Sequence, residues 1–363
     1  LTVALEEVPM TAQSSRVSIN RARRARLAVG VCLVAAGGVV AAASTPRVVH
    51  AAPDLAAAWT KPGAIPGAST SSGPAAAVFD GLLYVAWAGK SSPYHLWYST
   101  YNGKTWSAQK EVPSALTGEV EGPALAVFND ELYLSWLGQS ASAPAVWYSA
   151  YNGTTWSGQA KVPSALGQPF TSPALAAYNG DLYASWIGSS SAQKVWYSAY
   201  NGTTWSAQTR IPGAVSSVAD GNYGGPALAV YKGSLFASWN APFSCTTEPT
   251  YCIAAASFNG TSWTSPSYVL GPNPAYNGAS GPAMAVDGST LYDAWYDGYV
   301  ESLLYTTFNG TSWTAYQSIP NSFSATCDPP GLATFHSSLF VVWQLGGNEQ
   351  CAPFAGISYT SGP

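Results

Sequence analysis

Three tryptophans are the residues best placed to do chemistry. Trp97, Trp147 and Trp196 occupy the same position in three copies of a short motif, Leu96-Trp97-Tyr98-Ser99, Val146-Trp147-Tyr148-Ser149 and Val195-Trp196-Tyr197-Ser198. In three later copies the position holds Ala254, Leu304 and Ser358. An aromatic that the backbone demanded would stand in all six, so its selective use points to binding. An indole offers a platform for the apolar face of a sugar ring, and a few polar groups suffice to fix the hydroxyls. Lys90, Tyr94, His95, Gln139, Gln193 and Lys194 lie near these tryptophans and could supply them. The same three indoles also read as filler between neighbouring repeats, a role that needs no ligand.

Carboxylates are the other candidates. Glycoside hydrolysis needs two carboxyl groups about 5–9.5 Å apart. Asp293, Asp297 and Glu301 fall close together, and Glu119 and Glu121 share a connecting segment. All five also read as solvated loop acids. His95 and His336 are isolated, no Cys or His group has zinc spacing, and no calcium loop of the EF-hand kind is present, so no metal and no cofactor is expected.

The first fifty residues differ from the rest. Arg16, Arg21, Arg23, Arg24 and Arg26 precede an apolar run from Leu27 to Ala43, and Val49-His50-Ala51 offers small residues for cleavage. This pattern predicts a secretory signal peptide over residues 1–51 and an extracellular mature protein, without membrane insertion once the leader is cut. The chain begins at Leu1, so an alternative start codon or initiation at Met10 is expected. The whole chain carries a net charge of −4, and the leader holds two Glu against six Arg, so cleavage leaves −8. An acidic domain with Arg210 as its single arginine does not suit nucleic acid or an anionic membrane. Four cysteines follow the leader: Cys245, Cys252, Cys327 and Cys351. An even number in a secreted chain implies two disulfides. Three pairings exist, and Cys245–Cys252 with Cys327–Cys351 is preferred, because each would pin one enlarged loop.

The elements that position these groups come from an internal repeat. Pro74, Pro123, Pro173, Pro226, Pro282 and Pro330 each open a segment of the P-A-L-A-V-Y type, and Trp87, Trp136, Trp186, Trp239, Trp295 and Trp343 follow at one constant spacing. The second half of each copy carries an Asn-Gly turn, at Asn102, Asn152, Asn201, Asn259 and Asn309, followed by Trp106, Trp156, Trp205, Trp263 or Trp313. Asn-Gly between alternating apolar segments predicts a hairpin with a type I′ turn. Further turns are expected at Asp80-Gly81, Asn179-Gly180, Lys232-Gly233 and Asp287-Gly288. Each copy therefore reads as four short antiparallel strands, one blade of an all-β propeller. The sixth copy stops before its fourth strand, and Trp59 to Ile65 aligns with Trp205 to Ile211. The prediction is a six-bladed ring over residues 52–363, with blades near 73–117, 122–167, 172–214, 225–271, 281–321 and 329–363, the last completed by residues 56–67. Tight turns fall on one face, and the long 2–3 and 4–1 loops share the other, where function is expected.

The stretch Ser149-Ala-Tyr-Asn-Gly-Thr-Thr-Trp156 resembles the Asp-box of sialidase-like propellers, with Tyr151 in the Asp position. Whole repeats also resemble secreted bacterial propellers and, more loosely, six-bladed fucose-binding lectins. The resemblance implies the fold and places the box on the outer rim as a structural hairpin. Sialidase chemistry would need an arginine triad, which one arginine cannot supply. The function expected is a secreted, non-catalytic, lectin-like protein, monomeric, with repeated shallow sites for a glycan or cell-surface polysaccharide. A cell-surface scaffold and a polysaccharide-acting hydrolase or lyase remain the alternatives.

Overall fold

A computed structural model describes residues 59–140, 142–217, 224–242, 252–269, 280–298, 300–322, 328–346 and 356–362. The chain divides into Leu1–Ala51 and Ala52–Pro363, and every described residue lies in the second unit. The described residues form six four-stranded antiparallel sheets and no helix. Blade 1 is β2 (Ala75–Phe79), β3 (Leu82–Ala88), β4 (Tyr94–Tyr101) and β5 (Lys110–Thr117). Blade 2 is β6 (Ala124–Phe128), β7 (Glu131–Leu137), β8 (Ala145–Tyr151) and β9 (Ala160–Leu166). Blade 3 is β10 (Ala174–Tyr178), β11 (Asp181–Ile187), β12 (Lys194–Tyr200) and β13 (Thr209–Val215). Blade 4 is β14 (Ala227–Tyr231), β15 (Ser234–Ala241), β16 (Cys252–Phe258) and β17 (Ser267–Tyr268). Blade 5 is β18 (Ala283–Asp287), β19 (Thr290–Asp297), β20 (Ser302–Phe308) and β21 (Gln317–Ser318). Blade 6 is β22 (Gly331–Phe335), β23 (Ser338–Gln344), β24 (Ile357–Gly362) and, from the other end of the chain, β1 (Gly63–Ala64).

The ring closes by strand exchange. Gly63 pairs with Tyr359 and Ala64 with Ser358. The Thr60 amide donates to Ser361 O at 2.8 Å and the Ile65 amide to Ile357 O at 2.9 Å. Each innermost strand packs on the next around the circle, β22 against β2 included. Those strands leave a narrow central funnel of about 110 Å³. Its mouth is ringed by Pro74, Pro123, Pro173, Pro226, Pro282 and Pro330, and no charged side chain lines it among the described residues.

Packing between blades explains the constant tryptophans. Trp87, Trp136, Trp186, Trp239, Trp295 and Trp343 are fully buried, each against the blade before its own. An indole of this size buries about 150–250 Å², a gross gain of about 4–6 kcal/mol at about 25 cal/mol per Å².

The turns are distributed differently from the sequence expectation. Positive φ at both central residues, the type I′ signature, occurs in the first hairpins: Asp80-Gly81, Asn129-Asp130, Asn179-Gly180, Lys232-Gly233 and His336-Ser337. At the Asn-Gly sites only the glycine is positive, as at Gly153 (φ 92°). There the Asn side chain organises a longer loop. Asn152 Oδ1 accepts from the amides of Thr154 and Thr155, both at 2.9 Å, and Tyr151 bridges to Trp156. The local acceptor on Asn wins over the two-residue turn. The aromatic in the Asp-box position serves packing. Tyr151 lies on Trp156 with ring centres 5.1 Å apart, and Ser149 Oγ donates to Ser157 O at 2.8 Å behind it.

The six blades divide into two sets of three. Blades 1 to 3 have outer strands of seven or eight residues, interrupted by a register shift, whereas β17, β21 and β1 have two. Each long outer strand contains a positive-φ residue after a proline, at Ser114, Ser164 and Gly213.

Candidate functional site

Trp97, Trp147 and Trp196 stand on the third strands of blades 1 to 3, directly across from Trp87, Trp136 and Trp186. Opposite residues of an antiparallel pair share a face, so each indole looks toward the preceding blade. All three are half-buried. Each rests on a glycine two residues beyond the buried tryptophan. A Cβ on Gly89, Gly138 or Gly188 would stand 2.9, 2.5 or 2.5 Å from the Nε1 of Trp97, Trp147 or Trp196. The later blades have Ala241, Asp297 and Leu345 at the glycine position. The three tryptophans and three glycines thus form matched pairs. The correlation is present in the sequence, but its glycine half gains meaning only from the contact.

The outer strand gives each indole a charged neighbour. Trp97 faces Glu111, Trp147 faces Lys161 and Trp196 faces Arg210. Lys161 Nζ lies 4.8 Å from the Trp147 ring centre, and the Arg210 guanidinium 4.7 Å from that of Trp196. Both are cation–π contacts, worth about 0.5–1 kcal/mol where exposed. In blade 1, Glu111 Oε1 instead meets His95 Nδ1 at 2.7 Å. The three positions share a scaffold and differ in charge.

The blade 1 position opens into a cleft of about 260 Å³ against the segment that links the closing strand β1 to blade 1. Gly67 and Ser69 form one wall; Gly89, Lys90, Ser91, Pro93, His95, Trp97 and Gln109 form the other. Lys90, His95 and Trp97 therefore converge, joined by Gln109, which no sequence signal singles out. Tyr94 does not join them and turns instead to Glu119. Gln139 is exposed beyond Gly138 in blade 2. Lys194 begins β12 opposite Val215, and the carbonyl of Gln193 accepts from the Ser216 amide at 2.8 Å. In blade 2 the corresponding outer-strand glutamine, Gln159, reaches across to donate to Ser114 O at 2.9 Å.

Asp293 and Asp297 do not form a facing pair, whereas Glu119 and Glu121 lie close enough for each to act on Tyr94. Asp293 is fully buried between blades 4 and 5 and Asp297 is four residues away on the same strand, a separation of about 13–14 Å at roughly 3.4 Å per residue. Asp297 accepts from the Val300 amide at 3.2 Å, and Glu301 is exposed. Glu121 is buried, its Oε1 accepting from the Phe170 amide at 3.1 Å and its Oε2 from Val120 at 3.3 Å. Burial raises its pKa, against the pull of those amides. Among the described residues no three His, Cys, Asp or Glu side chains gather as metal ligands would. Cys252 is disulfide-bonded, and Cys245, Cys327 and Cys351 lie outside the described residues.

No family model and no curated protein sequence matches this chain. Solved structures match its fold. SapL1 lectin in complex with alpha methyl fucoside aligns at a TM-score of 0.54 and 11% identity, over 80% of this chain and 92% of the lectin. A sialidase of Trypanosoma rangeli, in complex with the inhibitor DANA, gives 0.54 and 10%, over 79% of this chain. This chain spans about half of that sialidase, 54% of its length. A variant of AofleA from Arthrobotrys oligospora gives 0.51 and 11%, over 83% and 93%. At such identities the likeness is one of fold: the chain is a six-bladed β-propeller similar to sialidase and lectin propellers.

Proposed function

We propose that this protein is a secreted, non-catalytic carbohydrate-binding propeller that holds a glycan or cell-surface polysaccharide in clefts between its blades. The observation that carries the reading is the cleft beneath Trp97. A half-exposed indole forms one side, and Lys90, the His95–Glu111 pair and Gln109 bring donors and acceptors to the same space. A pyranose needs that combination, one apolar face and a few directed polar groups. The Trp147 and Trp196 positions repeat the indole with a different charge beside it, so the three would select different sugars or different residues of one chain. Weak sites acting together gain strength on a polyvalent surface. The fold likeness to a lectin that holds a fucoside supports the same reading.

A glycan array followed by calorimetry tests it. Binding to at least one glycan is expected, with Trp97→Ala weakening it about ten-fold or more while the melting temperature stays within a few degrees. An array silent for the folded protein, or affinity unchanged in Trp97→Ala, Trp147→Ala and Trp196→Ala alike, would remove the proposal.

A further inference from the structure

The cleft between blades 3 and 4 has no counterpart in the function above. It measures about 240 Å³ and is lined by Gly213, Val215, Trp239, Ala241, Ala254, Pro266, Ser267 and Tyr268. Its position explains its existence. In blade 2 a row of three cross-strand partners runs Trp136, Trp147, Lys161, and in blade 3 it runs Trp186, Trp196, Arg210. In blade 4 the row runs Trp239, Ala254, Tyr268. The middle indole is gone, and a methyl stands in its place. Blade 5 fills the position with buried Leu304.

The walls also differ in kind. Blades 1 to 3 set a charged side chain outside the indole, whereas blade 4 sets the exposed ring of Tyr268 there. Trp239 is buried and its Nε1 already donates to Val215 O at 3.1 Å, so it forms the covered floor of the cleft and offers no donor. The space is bounded by an indole, a phenol ring, Val215 and Pro266. An apolar cavity of about 150 Å³ admits a benzene-sized guest, and offset or edge contacts with flanking rings favour another aromatic.

We infer that this cleft is a binding site for one planar aromatic ring of indole size, held outside the buried Trp239 and Ala254 against Val215, Pro266 and Tyr268. Ala241 replaces the glycine of those blades, so the guest sits further out than a resident indole, against Tyr268. The ring arrives either as a free small molecule or as an aromatic side chain of a peptide.

Ligand-observed NMR on the protein as expressed, with indole and N-acetyl-tryptophanamide as probes, separates these. A fragment of about nine heavy atoms is expected to bind with a Kd in the high-micromolar to millimolar range. Saturable binding of indole alone assigns a small-molecule site, and binding of both probes assigns a site for a peptide-borne ring. Ala254→Leu, which copies blade 5, should leave the protein folded and weaken the probes about ten-fold or more; Ala254→Trp should abolish binding. The inference is overturned by absence of saturable binding of either probe at millimolar concentration, or by equal binding to wild type and Ala254→Leu.

Discussion

Replacing Asp293 with valine should make this protein more stable at neutral pH, although it removes a carboxylate from a strand of the ring. The corresponding positions in blades 1 and 6 hold Val85 and Val341, both fully buried. Asp293 is fully buried too, and neither carboxyl oxygen has a hydrogen-bond partner; the Ser238 hydroxyl is its polar neighbour, outside hydrogen-bonding geometry. Burial therefore drives its pKa well above the ordinary carboxylate value, only partly opposed by Ser238. The folded chain keeps the proton that the unfolded chain releases above about pH 4. Folding stability is thus lost as pH rises from the unfolded pKa toward the folded one, and none of this loss remains below about pH 4, where both states are protonated. The unsatisfied polar burial alone costs about 1–3 kcal/mol. For a domain near three hundred residues this corresponds to a Tm gain of roughly 1.5–5 °C. Scanning calorimetry of wild type and Asp293→Val at pH 7 and pH 4 reads it. A larger gain at pH 7 than at pH 4 is expected, with Asp293→Asn flattening the pH dependence while keeping a polar group. A lower Tm for the valine variant at pH 7, or a gain independent of pH, would refute the reasoning.

Gly138→Ala should displace the Trp147 indole, because the new methyl would stand 2.5 Å from Nε1; a cost of about 1–3 kcal/mol is expected by thermal melting, with Gly158→Ala, which meets open space, as the mild control. Asn152→Ala should remove the acceptor shared by two backbone amides and the Thr154 hydroxyl, at about 1–2 kcal/mol. Amide exchange at Thr154 and Thr155 should accelerate in that variant and remain slow in Asn152→Asp.

Architecture is far more legible in this sequence than function, for a physical reason. The buried tryptophans recur because every inter-blade gap has the same shape, so their constant spacing after proline reports a geometric necessity. Ring closure is legible because Trp59 to Ile65 keeps the spacing of a strand missing elsewhere. The Asn-Gly turns mislead because the dipeptide signals two competing solutions, and the Asn side chain selects the longer loop. Asn129-Asp130 and His336-Ser337 are invisible as tight turns, since neither contains the glycine that advertises positive φ. Asp293 reads as a loop acid because a lone carboxylate among aromatics carries no sequence mark of burial. At the candidate site, Trp97, His95 and Lys90 lie close together in the sequence, whereas Gln109, just before the outer strand of the same blade, and Gly67 and Ser69, in the link between β1 and β2, come alongside only in the folded blade. The cleft bordered by Ala254 goes with a missing side chain, which shows only when the rows of neighbouring blades are compared.

The exchange of strands between distant parts of the chain sets an order of events. Thr60 finds its partners, Thr360 and Ser361, about three hundred residues later, so a segment synthesised early is satisfied late. Contacts of such sequence separation form slowly, and until β24 arrives the Thr60 segment has no sheet to join and stays open to proteases and to other chains. A product that stops short of β24 cannot hide it. Completion of synthesis is thereby tied to durability: a molecule must be made through its last blade before it can fasten itself shut.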